Sequence, residues 1–299
     1  MKARDINMSG FEFQVVKVGV DESGNDIFIP VAMQKDPNLA VSMGMMPGYS
    51  VIDKFGVNPL TEVTTDPEDV WEGGGIYPYD TFGSAPIVSI ASTDALDTQD
   101  ISIQGLDING DLVEQVATLT GTTRVALDTP LWRIFRMENL ADEGGDIQGT
   151  VYAYIGTDVT PTPGDPEIRA LISNGNNQTL MALYTIPKGK VGFLYRGEIG
   201  LEYTGTVGAG TNFAKCAYRS RRLGKVFKTK KQISLISAAS SIIQDKRTFP
   251  DIIPALTDLK ITIQEVSEDI GVWGTLDILL VDETLLSNEY LTAIGQPGY

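Results

Sequence analysis

Histidine is absent from these 299 residues, and cysteine occurs once, at Cys216. Without histidine the chain lacks the side chain that titrates near neutral pH and the commonest metal ligand. It also lacks the base of every Ser-His or Cys-His nucleophile pair. A single cysteine excludes an intrachain disulfide and a thiolate zinc cluster. Long apolar runs are missing too, since none approaches the roughly 18 residues that cross a bilayer. The first residues, MKARDINMSGFEFQ, have no apolar stretch of the kind a secretory signal needs. The expectation is a soluble protein made in the cytoplasm, with no cofactor and no metal. Carboxylate or lysine chemistry survives these exclusions, and most other hydrolytic designs do not.

What is present suits a folded protein. A hydrophobic fraction of 42% and a charged fraction of 21% allow a sizeable core. The length leaves room for two average domains or one large β domain with extensions. Charge is unevenly spread. Residues 1–150 hold 8 Lys+Arg against 24 Asp+Glu, a net of −16, whereas residues 151–299 hold 15 of each. No acid occurs between 203 and 244, and Lys215, Arg219, Arg221, Arg222, Lys225, Lys228, Lys230 and Lys231 crowd into 17 positions. Such a segregation bears on solubility and association rather than on fold.

Periodicity divides the chain. Residues 1–75 are rich in Pro, Gly and Met with no sustained period, which predicts loop, or an extended arm that becomes ordered on another surface. Four methionines fall within 33–46; they read either as core filler or as an adaptable contact surface. From residue 86 short segments alternate apolar and polar residues (IVSIAS, DISIQGLDI, DLVEQVATL, LWRIFRMENL, GTVYAYIG), as half-buried strands do. The polar TDVTPTPGDPE at 157–167 reads as a linker. Beyond it TLMALYTI, GKVGFLYRGEIGLEYT, TNFAKCAYRS, GKVFKTKKQISLIS, LKITIQEV and TLDILLVD resume the alternation. The fold class is therefore all-β. It comprises an arm over 1–75, a β-sandwich over 76–160, a second, jelly-roll-like sandwich over 168–283, and a tail over 284–299 with helical spacing.

Candidate sites are few. Asp107, Asn109 and Asp111 match the opening of a calcium loop, but Leu112 and Thr118 stand where such a loop needs Gly and Glu. Asn109-Gly110 between alternating strands reads as a hairpin corner. The acid groups Asp142-Glu143, Asp66/Glu68/Asp69 and Glu268-Asp269 have the residue types of glycosidase chemistry, yet their charged, loop-like surroundings predict solvation. GTVGAG at 205–210 lacks the Gly-Lys-Ser/Thr ending of a phosphate loop. Cys216, in an alternating strand, reads as a small buried hydrophobe. The basic segment 215–231 is either a solvated strand face or a contact for an acidic partner. Nucleic acid is the weaker match, because the whole chain is acidic and few aromatics are interleaved.

Several stretches together resemble a family of virion structural proteins of tailed bacteriophages, common among marine and cyanobacterial phages. They are VIDKFGVNPLTEV, EDVWEGGGIY, ISIQGLDINGDLVEQVATLTGTT, LWRIFRMENL, NGNNQTLMALYTIPKGKVGFLYRGEI and LDILLVDE. The likeness spans most of 50–283 and consists of turn and strand patterns, not catalytic ones. It implies a non-enzymatic virion component, with head decoration, vertex and neck all open as locations. The resulting expectation is a capsid decoration protein that binds and stabilises the outer shell lattice. Its partners would be its own copies, as a homotrimer or other homo-oligomer, and the major capsid protein or another virion protein. No membrane partner is implied. Lys225, Lys228, Lys230 and Lys231 lead the candidates for electrostatic contact, and Met45, Met46, Phe55 and Trp71 for anchoring the arm. The rival readings are a neck or tail component, or a tail-fibre-like carbohydrate-binding protein using Trp71, Tyr77, Tyr79, Phe82 and Trp132.

Overall fold

The computed structural model describes residues 4–8, 11–20, 24, 26–30, 37–61, 66–156, 167–202, 212–237, 242–267 and 270–295. The linker expected at 157–167, apart from Glu167, and the GTVGAG and Glu268-Asp269 stretches lie outside them. Strand is the dominant regular structure of the described residues, and every sheet is antiparallel. A meander of β1 (Arg4–Met8), β2 (Phe11–Val20) and β3 (Asp26–Pro30) comes first. A short helix, Pro37–Ser42, follows.

Two sandwiches form the body. The second in space begins first in sequence, with β4 (Tyr49–Thr61) and β5 (Glu68–Asp69). The first sandwich holds β6 (Ile87–Ser92), β7 (Asp100–Leu106), β8 (Leu112–Thr118), β9 (Val125–Leu131), β10 (Arg133–Asn139), β11 (Val151–Ile155) and β12 (Ile168–Ile172). Its sheets run β10-β7-β8 and β12-β11-β6-β9. Between them Ile87, Ile90, Ile101, Ile103, Met137 and Tyr152 are buried in one core.

The other sandwich adds β13 (Leu183–Thr185), β14 (Lys190–Glu202), β15 (Asn212–Arg222), β16 (Lys228–Ser237), β17 (Ile242–Ile253), β18 (Thr257–Val266) and β19 (Ile270–Asp282). One sheet runs β13-β18-β15-β16, with β5 also on β18; the other runs β17-β14-β19-β4. Their core contains Leu194, Cys216, Tyr218, Ile261, Ile263 and Leu276. The expected tail carries the helix Asn288–Ile294. Ser287 caps it by accepting from the Tyr290 amide, and Gly295 ends it at φ 70°.

Strand pairing crosses two of the three expected boundaries. β4 and β5 come from the expected arm, yet β4 pairs with β19 along its length and β5 pairs with β18. β12 follows the expected linker, yet pairs with β11. The physical reason is plain in β4. Its residues opposite Leu280, Ile278, Leu276, Gly274 and Val272, which place them on the core side, are Ser50, Ile52, Lys54, Gly56 and Asn58. A strand with lysine and glycine facing inward shows no apolar alternation. Gly56 is required there, because a Cβ would stand 2.2 Å from the Ala182 amide nitrogen.

The Asn-Gly corner is a hairpin joining β7 and β8, but with a five-residue loop. Asp107 Oδ1 accepts from the amides of Asn109 (2.8 Å) and Asp111 (2.9 Å), an Asx-turn arrangement. Gly110 sits at φ 82° against the Leu256 side chain, and its carbonyl accepts from the Lys188 amide. The corner therefore docks on the second sandwich.

Charge joins the two sandwiches at Asp258, with two further buried ion pairs inside them. Asp258 of β18 accepts from Arg133 Nε (3.1 Å) of β10, from Arg221 Nη2 (2.5 Å) of β15 and from Thr185 Oγ1 (2.6 Å). Asp80 receives Arg169 Nε at 2.8 Å, while its carbonyl accepts from Trp132 Nε1 and Arg133 Nη1. Lys260 Nζ lies 2.8 Å from Asp69, which also accepts from Thr262 Oγ1 and the Tyr77 amide. Removing one member of such a set strands a buried charge, at a cost of about 3–5 kcal/mol. Asp258→Ala, which strands Arg133 and Arg221 together, is expected to lower unfolding free energy by about that amount. Urea denaturation of both proteins at one pH measures it, and an unchanged midpoint would remove this role.

Candidate functional site

The basic segment forms the β15–β16 hairpin, and the structure sorts its eight cations. In β15 the residues that enter the core are Ala214, Cys216 and Tyr218, so Lys215, Arg219 and Arg221 project from the opposite face. Lys215 stands opposite Glu265. Arg221 is held by Asp258, and the Arg219 Nε is buried without an acceptor. Arg222 donates to the Ile294 carbonyl at 2.6 Å, and Lys231 pairs with Asp245 across the sandwich at 2.5 Å.

Lys225, Lys228 and Lys230 are exposed and, among the described residues, have no ion-pair partner. Simple alternation would place Lys228 and Lys230 on one face of β16. A register shift alters this. Lys228 lies opposite Ser220, Lys231 lies opposite Tyr218, and Lys230 is the extra residue of a bulge. The contact candidates thus reduce to three free cations around the hairpin tip, beside exposed Val226 and Leu223. Phe227, at the base of the tip, folds back over Arg221 and Lys260, with 4.5 and 4.4 Å from ring centroid to cation.

The residues expected to anchor an arm separate from one another. Trp71 is buried in the first sandwich core and makes an edge contact with Tyr77. Met45 and Met46 are half-buried, and Phe55 is half-buried on β4. The aromatics considered for sugar stacking are engaged in packing: Tyr77 on Tyr79, Tyr79 on Phe227, Phe82 on Trp132. Asp142 and Glu143 are exposed, as the sequence predicts. Asp69 is not; at 1% exposure it is the buried partner of Lys260. Cys216 is buried among apolar side chains, which push its thiol up to about 12.

Sequence reasoning missed a cleft of about 410 Å³ between the sandwiches. Its walls come from β4, β8 and β10, with Phe55, Phe135, Tyr184 and Leu112 among its apolar residues. Lys54 reaches into it from the core side of β4, only 7% exposed, and donates to the Phe135 carbonyl. Arg136 lines the same cleft. Burial, reinforced by the Arg136 guanidinium, pushes the Lys54 ammonium down to about 7, and Asp53 opposes this only in part. The only trace in the sequence is a lone cation at an inward position of a strand that alternation does not reveal.

No family model matches the chain, and no curated protein matches it. Solved structures align over most of its length with little identity. One is the tandem CBM22 domain pair of Paenibacillus barcinonensis Xyn10C, at 12% identity over 79% of this chain and 93% of that one, with a TM-score of 0.21. Another is infectious bursal disease virus, Gt strain, at 10% identity over 82% and 77%, with a TM-score of 0.20. A third is the isomalto-dextranase of Arthrobacter globiformis T6 complexed with panose, at 15% identity over 78% and 35%, with a TM-score of 0.20. Superpositions of this quality carry no argument about function.

The buried lysine makes stability depend on pH in a definite direction. Below about pH 7 Lys54 is charged in both folded and unfolded chains, and its burial penalty is felt in full. As pH rises from about 7 towards 10.5, the unfolded chain holds a proton that the folded chain has lost, so stability rises. Lys54→Met is therefore expected to raise the unfolding midpoint at pH 6, with a gain that shrinks by pH 9.5. Thermal unfolding of both proteins at the two pH values tests this. An equal effect at both would mean that Lys54 titrates normally.

Proposed function

We propose that this chain is a non-enzymatic structural component of a virus particle of the tailed-phage type. Its role in this reading is that of a capsid decoration protein, which binds the shell lattice and stabilises it. The observation that carries the reading is the separation of charge. Lys225, Lys228 and Lys230 project from one hairpin tip without ion pairs among the described residues, on a chain whose first 150 residues carry the whole net charge of −16. A basic tip facing an acidic surface, on a neighbouring copy or on a shell protein, gives a directional contact of the kind that fixes register and partner. Repeated over a lattice, weak contacts of this sort sum by avidity. The resemblance in turn and strand motifs over 50–283 supports the same class. Self-association as a homotrimer or other homo-oligomer is part of this reading, with a major capsid protein or another virion protein as the partner.

A second reading, a host-contact protein that binds carbohydrate, draws on a different place. A concavity of about 660 Å³ is lined by Trp273, Pro59, Phe55, Glu72 and Asn176. It combines a half-buried indole with hydrogen-bonding side chains, the usual ingredients of sugar stacking. However, Glu72 is already engaged by Asn176 Nδ2 and by the Leu180 amide, which favours the structural reading.

The experiment is reconstitution of particles with a Lys228→Glu/Lys230→Glu double variant, with copies per particle counted by quantitative mass spectrometry against the major capsid protein. Several-fold lower incorporation is expected, with folding stability within about 0.5 kcal/mol of the parent because both side chains are exposed. Normal incorporation would remove the basic tip from the contact. Absence of the parent chain from purified particles would overturn the virion reading itself.

A further inference from the structure

Lys54 and Arg136 present donors that the protein leaves unused. The Lys54 ammonium has three N–H groups. One meets the Phe135 carbonyl, and among the described residues no carboxylate is paired with it. The Arg136 Nη2 is taken by Gln178 at 2.8 Å and Glu138 at 3.3 Å, but its Nε is buried without an acceptor. Buried donors in native structures are almost always satisfied, so two adjacent cations with spare donors require an explanation. They also repel one another, a cost that an anion between them would remove.

The surroundings define which anion. The charged groups lining the cleft are Asp53 on the same strand as Lys54, Glu114 on β8, Arg136 on β10 and Lys190 on β14. Lys190 is tied to Asp282 and Arg136 is shared with Glu138, so the cation without a carboxylate partner among the described residues is Lys54, with the Arg136 guanidinium beside it. Asp53 and Glu114 disfavour a doubly charged group such as phosphate. Phe55, Phe135 and Tyr184 offer an apolar wall, with the Phe135 and Tyr184 rings 4.5 Å apart between centroids. A volume near 410 Å³ falls within the range of small-molecule sites.

We propose that the cleft between the sandwiches is a binding site for a monocarboxylate with a compact apolar body. Its carboxylate would pair with Lys54 Nζ beside the Arg136 guanidinium, and its body would lie on Phe55, Phe135 and Tyr184. The group comes either from a free organic acid or from the carboxyl end of a peptide segment, and both present the same chemistry. The site does not depend on the virion reading.

The test is isothermal titration of the full chain with 3-phenylpropionate, and with a tripeptide ending in phenylalanine. The corresponding amides serve as neutral controls, and the Lys54 side chain is followed by NMR. Either acid is expected to bind, with its amide at least tenfold weaker, and the probe that binds tighter identifies the source. Because only the charged lysine recruits the anion, and its charge is lost through about pH 7, binding at pH 8.5 should be about thirtyfold weaker than at pH 6. Bound carboxylate should move the Lys54 titration upward. Lys54→Met should abolish binding and its pH dependence. Arg136→Gln, at a partly exposed position, should weaken binding about tenfold while keeping the pH dependence. Failure of both acids to bind the parent, equal binding of the amides, or a Lys54 titration unmoved by saturating acid would each overturn the proposal.

Discussion

Asp258 is held by two guanidiniums that arrive from different sandwiches, Arg133 from β10 and Arg221 from β15. Beside it Asp69 holds Lys260 within one sheet of the second sandwich, and Asp80 holds Arg169 of the first. Burying this much charge adds little net stability, because desolvation offsets most of the attraction. What it supplies is direction: Arg133 Nε and Nη2 reach the two oxygens of Asp258 separately, a geometry that fixes one relative placement. The aromatic chain Trp71, Tyr77, Tyr79 and Phe227 runs alongside, and its rings face the same cations. β10 serves both sides of the seam between the sandwiches. Ile134 and Met137 enter one core, whereas Phe135 enters the other.

The seam explains the cleft. Where carboxylates meet the cations, the sandwiches close on each other. Where Lys54 and Arg136 approach without a carboxylate between them, they leave a concavity walled by aromatics. A lysine whose charge is lost near neutral pH is thus a consequence of how two strands from different sandwiches meet, not of its own strand.

The same separation of paired from unpaired charge marks the surface. Of the eight cations of the basic hairpin, Arg221 and Lys231 neutralise buried aspartates and serve the fold. Lys225, Lys228 and Lys230 stay exposed and, among the described residues, without an ion pair. A charge cluster in a sequence mixes these two populations, and only partner positions sort them.

Alternating apolar residues determined, from the sequence, that the chain is all-β with two sandwiches, because burial of one strand face imposes a period of two, and helical spacing marked the helix at the carboxyl end. The Asn-Gly corner and the buried Cys216 were legible for the same local reason. Domain boundaries were not, because β4 pairs with β19 at the far end of the chain, β12 pairs back across the expected linker with β11, and β4 carries Lys54 and Gly56 on its inward side. Asp69 looked solvated among acidic neighbours, yet it is buried because Lys260, 191 residues later, comes to it. The acidic first half and the basic segment within the neutral second half were fixed by composition. Which cations stay free, and where two of them share a cleft, was decided only when the two sandwiches closed, since desolvation and pairing depend on neighbours that no local pattern contains.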